Sequence, residues 1–129
     1  MYKFAIVILV VYSLWACTTQ KAMTGKGVVP PQVVKDSTEY VLIVIDPGFE
    51  QWYILHYSPV LDRPNELYAS ANGFAVIKWN YYFTDGKYRR VIDSYIDYTP
   101  GIDYGIDLNR KLYWYFSYVE EKYRISLLK

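Results

Sequence analysis

Hydrophobic and polar positions divide the chain into one apolar run, one polar stretch and a series of patterned segments. Phe4 to Ala16 is almost wholly apolar, but its 13 residues fall short of the ~20 that a helix needs to cross the hydrocarbon core of a bilayer. Residues 18–38 carry Gly25, Gly27, Pro30 and Pro31 among polar side chains and hold no sustained period, which predicts a flexible tether. A random chain of that length reaches roughly 25 Å on average, and Pro30-Pro31 would stiffen part of it.

The patterned part begins at Glu39-Tyr-Val-Leu-Ile-Val-Ile45, a β-branched run closed by Asp46-Pro47-Gly48. Proline presets one dihedral of a turn and glycine permits another, so a buried strand is expected near residues 40–45 with a turn after it. Phe49, Trp52, Tyr53 and His56 or Tyr57 recur at helical spacing until Pro59, predicting a short helix. Asn65 is a capping residue type at the head of a longer helix to about Phe83, with Leu67, Ala71, Phe74, Ile77 and Tyr81 as its core face. Against it stands Asn72-Gly73, a strong hairpin signal. A glycine costs a helix only about 1 kcal/mol relative to alanine, so a buried face can override it; the helix is favoured, with a hairpin as its alternative.

Asp85-Gly86 ends that element, and Lys87 to Gly105 reads as an ordered loop rich in Tyr, Asp and Gly. Leu108, Leu112, Tyr115 or Phe116, Val119 and Tyr123 then mark a last helix from Asp107. Arg124-Ile-Ser-Leu-Leu128 reads as a strand lying beside residues 40–45. The expected fold class is α+β: a small helix-dominated single domain with a short two-stranded sheet, its strands near 40–45 and 124–128.

The beginning of the chain bears on location. An early lysine, an apolar stretch and a stop at Cys17 have the layout of a secretory signal peptide. Leu14-Trp15-Ala16-Cys17 resembles the lipobox of bacterial lipoproteins, whose cysteine receives a diacylglycerol before the signal is cut just ahead of it. Trp15 departs from the small or aliphatic residues usual there. The resemblance implies lipidation of Cys17, the chain's only cysteine, in preference to an ordinary signal cut nearby. Each buried acyl methylene contributes about 0.8 kcal/mol, and two chains make attachment stable. The expected organisation is a signal peptide at 1–16, a lipidated cysteine and tether at 17–38, and a domain at 39–129, with the membrane reached through the N-terminal lipid.

Charge narrows the partners. Lys and Arg number 14 against 13 Asp and Glu, and loss of Lys3 with the signal leaves a neutral chain. Nucleic acid, which calls for a basic footprint, is therefore not expected as a partner. The 16 tyrosines suit interfaces and sugar-like ligands, and equally the half-buried margins of a small core.

Asp93, Asp97, Asp103 and Asp107 are the acidic cluster. No Asp-x-Asp-x-Asp-Gly calcium loop surrounds them, so the favoured reading is local: Asp103 or Asp107 caps the last helix, and Asp97 shapes the turn before Pro100. His56 is the only histidine, too few for a His-based metal site, and no nucleophile elbow surrounds any serine. No catalytic residue, metal ligand or cofactor is assigned. The repeated Ile96-Asp-Tyr98 and Ile102-Asp-Tyr104 flank the turn at Pro100-Gly101, and Gly105 is expected to allow close backbone approach. Asp97, Tyr98, Asp103 and Tyr104, with Trp79 and Tyr95, make the candidate binding surface, since ordered loops commonly carry contacts.

Asp46-Pro-Gly-Phe-Glu50 after a strand, Lys78-Trp-Asn-Tyr81, and Asp97-Tyr-Thr-Pro-Gly-Ile-Asp-Tyr-Gly-Ile-Asp-Leu-Asn109 with Lys111-Leu-Tyr113 and Tyr115-Phe116 carry a wider resemblance. Together they resemble a family of short lipoproteins from Bacteroidota with a domain of unknown function, over roughly residues 39–128. The resemblance implies an outer-membrane lipoprotein of a Gram-negative bacterium and no particular reaction. No acidic run of the kind associated with surface export follows Cys17, which favours the periplasmic face. The function expected is a non-catalytic, lipid-anchored envelope module that binds an unknown envelope protein or glycan. The alternatives are a glycan-binding lipoprotein and a small hydrolase using Asp97 with Asp103 or Asp107, which would need carboxylates about 5 to 9 Å apart.

Overall fold

The computed structural model describes residues 31–36, 39–44 and 46–129; the expected signal peptide, Cys17 and the tether as far as Pro30 lie outside the described residues. Strands β1 (Gln32–Asp36) and β2 (Glu39–Ile43) pair antiparallel, with Val33 opposite Leu42 and Lys35 opposite Tyr40. Three helices follow: α1 (Pro47–His56), α2 (Asn65–Asp85) and α3 (Ile106–Tyr123), with a short 3-10 turn at Pro59–Leu61 between the first two. The fold is α+β and mostly helical.

Helix α3 is the centre of the domain, since α1, α2 and β2 all pack against it. Its Leu112, Tyr115, Phe116 and Val119 are fully buried against Phe49 of α1, Val76 and Trp79 of α2, and Leu42 of β2. Asp46 starts α1 as its N-cap, its side chain accepting from the Gly48 amide at 2.9 Å, with Pro47 in the first turn where its missing N–H costs nothing. At the far end of α2, Gly86 takes φ 72° and closes the helix in the left-handed conformation that glycine adopts without penalty.

The sheet differs from expectation in its second strand. Strand β2 lies where the β-branched run predicts, but its partner is β1, built from residues expected to belong to the tether. Residues 124–128 form no strand. Their alternation is real, because Ile125 and Leu127 are buried while Ser126 is exposed. Their amides, however, are satisfied elsewhere: Glu120 Oε1 accepts from Leu127 N at 2.6 Å and Leu128 N at 2.7 Å. One carboxylate does for this segment what a neighbouring strand would have done.

Helix α2 resolves the choice at Asn72-Gly73 in favour of the helix, with both residues buried in its middle. A Cβ at Gly73 would lie 3.6 Å from Pro100 Cγ, so packing is in ordinary contact there without a turn. Asn65 is the first helical residue and not the cap; Pro64 occupies that position, and Asn65 Oδ1 instead accepts from Asn109 Nδ2 at 2.8 Å. The face expected in the core points outward. Leu67, Phe74, Ile77 and Tyr81 are 57%, 68%, 62% and 63% exposed, while Tyr68, Asn72, Ala75, Val76 and Trp79 face α3 and the loop. Both stripes have helical spacing. The inward one contains Asn72 and Trp79, whose N–H groups reach the carbonyls of Asn109 and Ser94 at 2.8 and 2.9 Å, so polar partners decide which stripe is buried.

Candidate functional site

The residues singled out in the loop separate into two groups. Trp79, Tyr98 and Tyr104 are interior side chains. Tyr98 stacks on Tyr104 with ring centroids 4.6 Å apart, and Tyr40 of β2 meets Tyr104 edge-on at 4.7 Å. Tyr98 donates to Asn109 Oδ1 at 2.9 Å, and the Tyr104 hydroxyl accepts from Thr99 N at 2.9 Å. Burial pushes the Tyr98 phenol up to about 12, which keeps it a neutral donor. These rings pin the loop to the core and offer no free faces to a ligand.

Asp97, Asp103 and Tyr95 are exposed. Asp103 turns back to accept from Gly105 N at 3.0 Å, and Gly105, at φ 79°, precedes α3 with no side-chain cap, so neither Asp103 nor Asp107 caps the helix as expected. Asp107 pairs with Arg110 Nη1 at 2.8 Å. A Cβ at Gly105 would meet nothing within 4 Å, so the glycine serves the positive dihedral and not close approach. A hollow of about 370 Å³ elsewhere is lined by Phe83, Arg89, Ile92 and Asp93, with a single carboxylate where glycoside hydrolysis needs a pair. Among the described residues no group of three or more His, Cys, Asp or Glu side chains could hold a metal ion, and no helix is long and apolar enough to cross a membrane.

Two exposed apolar features stand out instead. The first is the outward stripe of α2, Leu67, Phe74, Ile77 and Tyr81. Its residues were legible as a helix face, though assigned to the core. The second is an elbow where α1 runs into the 3-10 turn: Ile54 and Leu55 are each 75% exposed, Val60 92% and Leu61 53%. Nothing in the sequence reading marked it; the available signal was that Ile54 and Leu55 fall off the aromatic spacing of α1.

The elbow is braced from both sides. Ser58 Oγ accepts from Val60 N at 3.2 Å to start the turn. Just past it, Asp62 receives both Nε and Nη2 of Arg110 at 2.8 Å and the Tyr68 hydroxyl at 2.9 Å. The forked hydrogen bond from Arg110 holds the Asp62 carboxyl down at about 2, so the pair stays charged and mutually neutralised. At the base of the elbow Tyr53 stacks on Tyr57 at 5.0 Å, and Trp114 meets Tyr57 edge-on at 5.9 Å.

A model described as a family of unknown function (DUF6146) matches residues 3–129. No curated protein and no solved structure matches the chain.

Proposed function

This chain belongs to that family of unknown function, from which no reaction follows, and we propose that it is a lipid-anchored, non-catalytic binding module of the Gram-negative cell envelope. In this reading Cys17 carries the lipid, the outer membrane holds the anchor, and the domain faces the periplasm. The lipobox-like Leu14-Trp15-Ala16-Cys17 after an apolar run and the chain's own resemblance to short Bacteroidota lipoproteins support the anchor.

The observation that carries the binding role is the outward stripe of α2. Four large apolar side chains more than half exposed are what a partner's apolar face would cover, whereas single exposed apolar residues need no explanation. Helix α2 has 21 residues and is therefore about 31 Å long. With a width of about 10 Å, such a face covers about 300 Å², well under the ~800 Å² per side of a standard stable interface. Contact at this stripe alone is weak, and confinement to a membrane offsets that by raising the partner's effective concentration. The partner chemistry is an apolar face on another envelope protein; a glycan fits less well, because Trp79, Tyr98 and Tyr104 spend their ring faces on the core.

Two measurements in native membranes test this. Cys17→Ser should release the protein from the membrane fraction and remove the mass of the acyl chains. A photo-reactive residue at Phe74 or Ile77 should give one cross-linked species of defined mass that is absent with the probe at Glu121, exposed on α3, and Leu67→Glu should abolish it. Cross-linking equal at Glu121 and Ile77 would defeat the contact assignment, and an unmodified, soluble wild-type chain would defeat the anchor.

A further inference from the structure

The elbow differs from the α2 stripe in shape. Val60 is 92% exposed in the 3-10 turn, and Ile54, Leu55 and Leu61, within six residues of it in the chain, are also more than half exposed, so no groove walls enclose these side chains. A protein partner would need a matching cup, whereas a bilayer yields around a convex aliphatic tip. Four aliphatic residues held in water by a braced turn are costly unless something apolar covers them.

Three further observations point to lipid as the cover. Tyr53 and Tyr57, both half-buried, stack at the base of the tip with Trp114 packed behind them, and such amphipathic tyrosine rings settle at the headgroup level of membranes. Arg63 lies beside them, its guanidinium 5.0 Å from the Tyr113 ring centroid, where a cation can meet lipid phosphate. Asp62, which follows Leu61 in the chain, is paired with Arg110, so that carboxylate carries no lone negative charge to the lipid surface.

Chain length makes the contact possible. From Cys17 to Pro31 the backbone can extend at most about 50 Å, more than the roughly 30 Å diameter of a domain of about 100 residues. Any face of the domain can thus reach the bilayer that holds the anchor, and surface chemistry selects which one does. We infer that the elbow of Ile54, Leu55, Val60 and Leu61 is a second membrane contact, inserting its side chains at the acyl boundary and fixing the orientation of the domain on the lipid surface. This rests on the lipid-anchor reading.

The single cysteine supplies the test. Full-length protein purified in detergent from native membranes carries either an acylated Cys17, which cannot react, or a free thiol. Val60→Cys is labelled with an environment-sensitive thiol dye and reconstituted into vesicles of phosphatidylethanolamine and phosphatidylglycerol; Arg90→Cys, beyond the far end of α2, is the control. The expected result is one dye per chain, with blue-shifted, brighter emission at position 60 on vesicles and no change at position 90. Unchanged emission at position 60 with one dye per chain, in protein that binds the vesicles, overturns the elbow contact and leaves the anchor standing. A shift at position 60 that appears in native membranes but not in pure lipid vesicles also overturns it, in favour of a protein cover. Two dyes per chain, with no association with vesicles, overturns the anchor together with the inference built on it.

Discussion

Glu120 offers the sharpest test of how the C-terminal segment is held. The tail after Arg124 buries Ile125 and Leu127, worth about 3–6 kcal/mol together at about 1.5–3 for each aliphatic side chain. Ordering the backbone of residues 125–129 opposes this by about 5–10 kcal/mol, at about 1–2 kcal/mol per residue. Apolar burial alone therefore leaves the tail at best marginally docked. The two amide bonds accepted by Glu120 Oε1 at 2.6 and 2.7 Å add about 1.5–3 kcal/mol each, the range for hydrogen bonds to charged groups, and bring the account to rough balance in favour of docking.

Glu120→Ala should consequently release the tail and lower the urea-unfolding free energy by about 1–2 kcal/mol, the net balance of docking, and the amides of Leu127 and Leu128 should lose their protection in hydrogen-exchange mass spectrometry. Glu120→Gln keeps a neutral acceptor in the same place and should lose about half as much, because neutral hydrogen bonds are roughly half as strong as charge-assisted ones. If Glu120→Ala unfolds within about 0.5 kcal/mol of wild type and its C-terminal peptide exchanges no faster, the carboxylate is not what anchors the tail.

Three other substitutions probe the frame around the exposed surfaces. Gly73→Ala should stabilise the protein by about 0.5–1 kcal/mol in a denaturant melt, because the added methyl meets Pro100 at an ordinary 3.6 Å; a loss of stability would show that the contact is tighter than that. Gly48→Ala should cost about 1–2 kcal/mol, since its Cβ would lie 2.7 Å from the Tyr118 hydroxyl that donates to Asp46 Oδ2. Adding Tyr118→Phe should recover part of that loss in a double-mutant cycle, and strict additivity would argue against the clash. For Asp62, the hydrogen bonds from Arg110 put the folded-state carboxyl at about 2, below the ordinary value near 3.9. Its contribution is therefore complete above about pH 4 and is lost as pH falls from there to about 2. Acid titration of stability should show a steeper decline for wild type than for Asp62→Asn in that window, and parallel curves would remove the ion pair from the account of the elbow.

Periodicity made the helices legible. Phe49, Trp52 and Tyr53 in α1, and Leu108, Leu112, Phe116 and Val119 in α3, follow helical spacing, and Gly86 marked the end of α2 by its need for a left-handed dihedral. The second strand was not legible, because alternation reports burial and not hydrogen bonding: Ile125 and Leu127 looked able to form a strand, but Glu120, one helical turn before Arg124, takes the amides of Leu127 and Leu128, and residues 32–36, expected in the tether, pair with β2 instead. The candidate loop was half legible. Its turn and its tyrosines were placed correctly in sequence, but whether a tyrosine ring faces solvent depends on partners distant in the chain, such as Asn109 for Tyr98 and Tyr40 for Tyr104.

Helix α2 shows why the exposed surfaces escaped a reading of the sequence. Its apolar residues fill two stripes, one through Leu67, Phe74, Ile77 and Tyr81 and one through Tyr68, Ala75, Val76 and Trp79. A single core can accept only one of them. The purely apolar stripe is the better candidate on hydrophobicity, yet the stripe carrying Asn72 faces inward, because Asn72, Asn65, Asn109 and Tyr98 satisfy most of one another's polar atoms across α2, α3 and the loop. With Asn72 facing solvent, Asn109 and Tyr98 would keep buried polar groups with fewer partners, at about 1–3 kcal/mol for each unsatisfied group. The polar network thus orients the helix, and in doing so it turns Leu67, Phe74, Ile77 and Tyr81 outward. The apolar surface on which the proposed binding role rests is the consequence of a hydrogen-bond network on the opposite side of the same helix.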